Sequence, residues 1–296
     1  MKTALDCIHC FLRQALEAAR FVTGDPRFHE RVVREVIGTL GSLDFSRSPV
    51  VAAQIIHRRL RELTGQADPY RAAKVRFNRL ALELLPALET EVRISADPME
   101  MVVRLAIAGN LIDLGAGALD EDGVRRAIQV ALSEPFVGSV AEFRDAVSRA
   151  ERILYLADNA GEIVFDRLLI ERLPAGCVTV AVRGGPVIND ATVSDAYVAG
   201  LPGIAEVIDN GSDAPGTVLD DCSPAFRSIF EKADVVIAKG QGNFETLNDK
   251  PADVFFLFKV KCPVIASEVG LDVGTHVLKR SDWATVATGG DDHARI

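Results

Sequence analysis

Two rhythms in the chain predict an α/β protein, helical up to about residue 150 and built on a mostly parallel sheet beyond it. In the first half apolar residues recur at three- and four-residue steps. In the second, short runs of consecutive apolar residues alternate with helix-like stretches. With 48% hydrophobic residues, the 296-residue chain has material for a sizeable core, which excludes a disordered polymer. The expected division is a helical domain over 1–150 and a sheet domain over 151–296.

The first helix is carried by Leu5, Ile8, Leu12, Ala15, Leu16 and Ala19, and Gly24-Asp25-Pro26 stops it. Ser48-Pro49 and Asp97-Pro98 each read as an N-cap followed by proline at the first helical position. The second opens a run through Met101, Leu105, Ala108, Leu111 and Ile112. Helical patterns also cover 70–92, 122–133 and 140–150, and hardly any stretch in this half reads as a strand. Beyond residue 150 the expected strands are 152–157, 177–182, 234–238 and 263–266, with a weaker one at 205–208. Runs of this kind, apolar on both faces, belong to a parallel sheet covered by helices.

Lys and Arg number 33 against 42 Asp and Glu, a formal net charge of −9, which argues against a general grip on nucleic acid or an anionic membrane. The most apolar long stretch, 99–119, contains Glu100, Arg104, Asn110 and Asp113, so no transmembrane helix is expected. Asp6, Arg13, Glu17 and Arg20 interrupt any secretory h-region. The cytoplasm is the expected compartment, with the five cysteines reduced.

Ligands of an open parallel sheet sit beyond the carboxyl ends of its strands, and polar clusters gather there. They are Asp158-Asn159-Ala-Gly-Glu162, Arg183-Gly-Gly-Pro-Val-Ile-Asn189-Asp190-Ala-Thr192 and Lys239-Gly-Gln-Gly-Asn243-Phe-Glu245-Thr246, with Lys259-Val-Lys261-Cys262 as a fourth. Each alone reads equally well as caps and turn glycines. Taken together they read as chemistry. Asp158, Asn159 and Asp190 supply hard oxygen ligands suited to a divalent metal. Lys239 and Lys261 supply point charges, and Gly240 and Gly242 let backbone N–H groups approach an anion. A hard cation beside ammonium groups and open amides suits a phosphoryl group. Neither a Walker A loop nor a GxGxxG turn occurs.

These strings resemble the DUF89 family of metal-dependent damage-control phosphatases, some of whose members have been described as methyltransferases. Cys7-Ile-His-Cys10-Phe-Leu-Arg13 and Gly109-Asn110-Leu-Ile-Asp113 are similar to its prokaryotic branch, which carries a CxxC pair. The resemblance implies a helical domain on a Rossmann-like three-layer α/β/α domain, and one metal (Mg, Mn, Co or Ni) on Asp158, Asn159 and Asp190. It places phosphate and substrate contacts around Lys239, Asn243 and Glu245 and on Lys261; Arg183 joins the substrate set. The Arg-Thr-x-Lys signature of larger eukaryotic branches is here Phe258-Lys259-Val260-Lys261, so only the lysine carries over.

The activity expected is hydrolysis of a small phosphorylated metabolite, the attacking group being either a water activated by the metal or the Asp158 carboxylate. The alternatives are an adenosylmethionine-dependent methyltransferase and a non-catalytic metal- or metabolite-binding module. Cys7 and Cys10 are read either as buried packing residues or, with Cys262, as a second thiol site at the edge of the active site. Cys177 and Cys222 are read as structural. Lys261 is expected to matter most for turnover and Lys239 for binding. Substrate identity and oligomeric state are not legible.

Overall fold

Proline behind a short polar cap starts three of the five helices described up to residue 108. The computed structural model describes residues 1–108, 126, 129–130 and 132–282. Helix α1 (Cys7–Val22) is followed by α2 (Pro26–Gly41), whose first turn Asp25 caps by accepting the Arg27 N–H. Ser48 caps α3 (Pro49–Thr64) in the same way, and Gly65 ends it in the left-handed region. Next come α4 (Arg71–Ile94) and α5 (Pro98–Ala108), with Asp97 accepting the N–H groups of Met99 and Glu100. Of the helix expected over 122–133, residues 126, 129–130 and 132–133 are described and are helical; Asn110 and Asp113 lie outside the described residues.

The sheet has seven strands: β1 (Phe136–Gly138), β2 (Ile153–Leu156), β3 (Val178–Val182), β4 (Glu206–Asp209), β5 (Val235–Lys239), β6 (Val254–Lys259) and β7 (His276–Arg280). Their order is β1-β7-β6-β5-β2-β3-β4, and every neighbouring pair is parallel except β6 with β7. The helices of this half are α6 (Val140–Arg149), α7 (Glu162–Ile170), α8 (Val193–Val198), α9 (Pro224–Lys232), α10 (Gly240–Leu247) and α11 (Pro263–Val269). The mixed α/β class and mostly parallel sheet are as expected.

Three strand assignments need correction. The run at 263–266 is helical: Pro263 sits in the first turn of α11 behind an extended Cys262, and Gly270 closes it at φ +69°. The strand lies earlier, in Val254–Lys259, where Phe255, Phe256, Leu257 and Phe258 are all buried. β1 and β7 were not expected: β1 has three residues, and β7 sets His276, Lys279 and Arg280 around only two apolar residues. Nor does the core divide cleanly at residue 150. Phe77 and Leu84 of α4 and Val102 and Leu105 of α5 belong to one buried cluster with Ile153, Val180 and Ile237. A separate cluster, with Phe11, Val32, Ala52 and Ile56, holds α1 to α3 together.

Candidate functional site

The strand order places a crevice beside β2. The chain steps from β2 to β3 and β4 on one side, then returns across to β5 on the other, so the ends of β2, β3 and β5 frame a topological switch point. Asp158 and Asn159 lie just past β2. The segment after β3 doubles back onto them: Ala191 N–H donates to Asp158 O at 2.8 Å, Ala160 N–H donates to Asn189 O at 2.9 Å, and Asn159 pairs with Asp190 in an antiparallel bridge. Backbone pairing thus sets Asp158, Asn159 and Asp190 side by side, although 31 residues separate Asn159 from Asp190. Within this segment Ile188 takes φ +43°, costly for a β-branched residue, and packs against the α1–α3 cluster.

Side chains tighten the arrangement. Asn159 Nδ2 donates to Asp158 Oδ2 at 2.8 Å and to Glu162 Oε2 at 3.1 Å. Arg183, 2% exposed, donates from Nε to Asp190 Oδ2 at 2.7 Å and places Nη2 3.5 Å from Asp158 Oδ1. Gly240 takes φ +79°, and a Cβ there would fall 2.0 Å from Asp158 Oδ2, so only glycine lets the carboxylate occupy that place.

A cavity of about 410 Å³ opens in front of this wall. Asp158, Asn159 and Asp190 form one side. Cys7, His9, Cys10, Phe11 and Arg13 of α1 contribute another, and Gln241, Gly242 and Glu245 of α10 with Lys261 and Cys262 complete it. Gln241 joins the last group: its Nε2 donates to Glu245 Oε1 at 2.8 Å and lies 3.8 Å from Cys262 Sγ, while its Oε1 accepts the Lys261 N–H at 3.3 Å. Burial pushes the Glu245 carboxyl up to about 7, with Asp158 adding to the rise and Gln241 and Lys261 opposing it. Burial likewise raises the Cys7 and Cys10 thiols, and Cys262 and Glu245 add to both.

Several expected site residues lie elsewhere. Lys239 is fully buried and does not line the cavity. Its Nζ donates to Ala106 O and Asp166 Oδ1, each at 2.7 Å, and to Glu162 Oε1 at 2.5 Å, which uses all three protons. Burial acts to lower its pKa, but the Asp166 and Glu162 carboxylates hold it above the usual lysine range. A phosphate contact by Lys239 is therefore corrected to a structural charge. Arg183 is likewise off the cavity, spent on Asp190 and Asp158. Asn243 is buried, donating to Lys239 O at 2.7 Å and accepting from Thr217 Oγ1 at 2.8 Å. Gly240 is buried against Asp158, whereas Gly242 does line the cavity. Lys259 is paired with Glu134 at 2.7 Å.

Sequence reasoning passed over Gln241 and Arg13. The i, i+4 step from Gln241 to Glu245 was the available signal for the first. For Arg13 it was the i+3 step from Cys10 on the same helix. Among the described residues no group of three His, Cys, Asp or Glu is poised to hold a metal, so Cys7, Cys10 and Cys262 share a cavity without forming a ligand set. The set at the strand ends is two carboxylates and an amide. Its all-oxygen chemistry fits a hard divalent cation, and the gap left by Gly240 keeps the Asp158 carboxylate in place for one.

The damage-control phosphatase ARMT1-like domain matches residues 3–277. A damage-control phosphatase of Pyrococcus horikoshii is 33% identical over 289 residues, covering 96% of this chain and 99% of its own. One of Archaeoglobus fulgidus is 35% identical over 293 residues, covering 94% and 99%. The crystal structure of a DUF89 family protein from Pyrococcus horikoshii superposes with a TM-score of 0.86 at 33% identity, over 95% of this chain and 99% of that one.

Proposed function

This chain belongs to the damage-control phosphatase ARMT1-like family, and from that premise we propose that its cavity hydrolyses the phosphomonoester of a small metabolite on a divalent metal. The observation that carries the reading is the backbone pairing of two distant segments that sets Asp158, Asn159 and Asp190 on one wall of a 410 Å³ cavity. Those three residues would hold the cation, which would supply Lewis acidity toward phosphoryl oxygens.

The rest of the chemistry falls to the chain's own groups. Lys261 and Arg13, the lysine and arginine of the cavity lining among the described residues, meet the remaining phosphoryl charge. The Glu245 carboxyl, with a pKa near 7, can keep a proton at neutral pH for the leaving oxygen. The apolar part of the lining, with Phe11, Val50 and Ile188, receives the carbon skeleton of the substrate and keeps water from it.

The test uses purified protein and an aryl phosphate, with Mg²⁺, Mn²⁺, Co²⁺ or Ni²⁺ added and then chelated, beside a calorimetric titration with adenosylmethionine. Phosphate release that stops with chelator, without adenosylmethionine binding, is the expected result. Cofactor binding without phosphate release would replace the reading with methyl transfer. A panel of sugar, nucleotide and cofactor-derived phosphates then narrows the substrate.

A further inference from the structure

Behind the cavity wall runs a chain of buried polar contacts whose inner end is Lys239. Lys239 grips Glu162 and Asp166; Glu162, 1% exposed, reaches Asn159; and Asn159 faces the cavity. A side-chain amide has a donor end and an acceptor end of nearly the same shape, so its neighbours decide which way it points. Here two carboxylate oxygens, Asp158 Oδ2 and Glu162 Oε2, meet the same end of Asn159 at 2.8 and 3.1 Å. Turned over, the amide would set its oxygen against both. Glu162 cannot swing away to relieve this, because its other oxygen is bound to a lysine whose three protons are all committed.

We infer that Glu162, anchored by Lys239, is a positioning residue that turns the carbonyl oxygen of Asn159 toward the cavity, where a hard cation needs an oxygen. This rests on the metal reading of the site. It gives a function to the buried lysine and to a glutamate that touches neither cavity nor substrate. Groups that orient a ligand from behind typically contribute 10–100-fold to metal affinity.

The decisive substitution is Glu162→Gln, close to isosteric. Lys239 claims the oxygen of the new amide, which then presents an N–H₂ to Asn159 and competes with Asp158 Oδ2 for its orientation, so the Asn159 oxygen is no longer fixed toward the cavity. Mn²⁺ affinity is read by calorimetry without substrate, and folding by circular dichroism and by melting of the metal-free protein. E162Q is expected to bind Mn²⁺ about 10–100-fold more weakly than wild type. Adding Asn159→Asp should restore binding, because a carboxylate presents oxygen in either orientation. Where E162Q fails to fold, Glu162→Asp serves. It keeps the charge for Lys239 but withdraws the acceptor from Asn159, and it should weaken Mn²⁺ binding in the same range.

Wild-type affinity in the folded variant overturns the inference, as does a loss in E162Q that N159D leaves unrepaired. A wild-type protein that binds no divalent metal instead overturns the metal reading itself.

Discussion

Asp190 and Arg183 meet at 2.7 Å with both side chains almost fully buried, which changes how the metal ligands should be tested. Alanine at Asp158 or Asp190 would leave the fold intact only if these strand-end carboxylates faced solvent. With Asp158 at 8% and Asp190 at 3% exposure they do not. Asp190→Ala would take the carboxylate from Arg183 Nε, leaving this buried guanidinium only the longer Asp158 and Asn243 contacts, and should cost up to about 3–5 kcal/mol. Asp190→Asn keeps the shape and is expected to abolish the metal-induced rise in melting temperature with a smaller loss in the metal-free protein. Of the two lysines, Lys239 departs from the binding role expected of it. Lys239→Met leaves Glu162 and Asp166 unpaired in the interior and should destabilise by about 3–5 kcal/mol, measured by denaturant unfolding. Lys261→Met, at an exposed position on the cavity rim, should leave unfolding nearly unchanged and reduce phosphate release. If it contacts charge that develops only in the transition state, the loss is about 2–4 kcal/mol in kcat. Glu245 supplies a pH test. Its folded pKa of about 7 lies above the ordinary carboxyl value, so the fold favours the neutral form; that contribution is lost as pH rises from about 4.3 through 7. Wild-type melting temperature should fall relative to Glu245→Gln across that window, and kcat/KM should decline above pH 7.

Helix α10 shows how an element presents its residues to a site. It begins at Gly240 directly after β5, with no intervening loop, so its first turn abuts the Asp158 carboxylate. Gln241 and Glu245, four residues apart, share the face toward the cavity, while Asn243 and Phe244 are buried. That phase explains why the Lys239–Glu245 string divides between cavity and interior. Gly240→Ala should therefore act on the site from the helix start. Its Cβ would displace the Asp158 carboxylate and strain a positive φ, and metal-dependent stabilisation should disappear while far-UV circular dichroism is retained. Wild-type metal binding in that variant would remove Gly240 from the argument.

The two halves of the chain close the cavity together. Cys7, Cys10 and Arg13 come from α1, and the α1–α3 group is tied to the sheet half by Gln54, Arg58 and Arg61 of α3, which all bind Asp213. The α4–α5 pair supplies part of the core over the sheet, and the Ala106 carbonyl completes the coordination of Lys239. Residues 151–296 expressed alone would expose that apolar face and lose one partner of a buried ammonium. No cooperative melting transition is expected from that fragment, whereas the full chain should show one.

The sequence determined the class of the fold, the chain positions of four of the seven strands and the places where polar chemistry gathers. Those features are written locally, in apolar periodicity, caps such as Asp25 and Ser48, and polar strings at strand ends. It also determined the family, because the strings Asp158 to Glu162 and Arg183 to Thr192 hold their residues at set spacings. What it could not express is the direction of a side chain once segments meet. Lys239 and Lys261 read alike as strand-end cations, yet one is spent on two buried carboxylates and the other reaches the cavity. Likewise Val254–Lys259 and Pro263–Val269 both begin as apolar runs, yet the first is buried along nearly its whole length and the second only at Ile265. Burial and charge pairing across distant segments made those choices, since an ammonium in an apolar interior is stable only where carboxylates from other elements surround it.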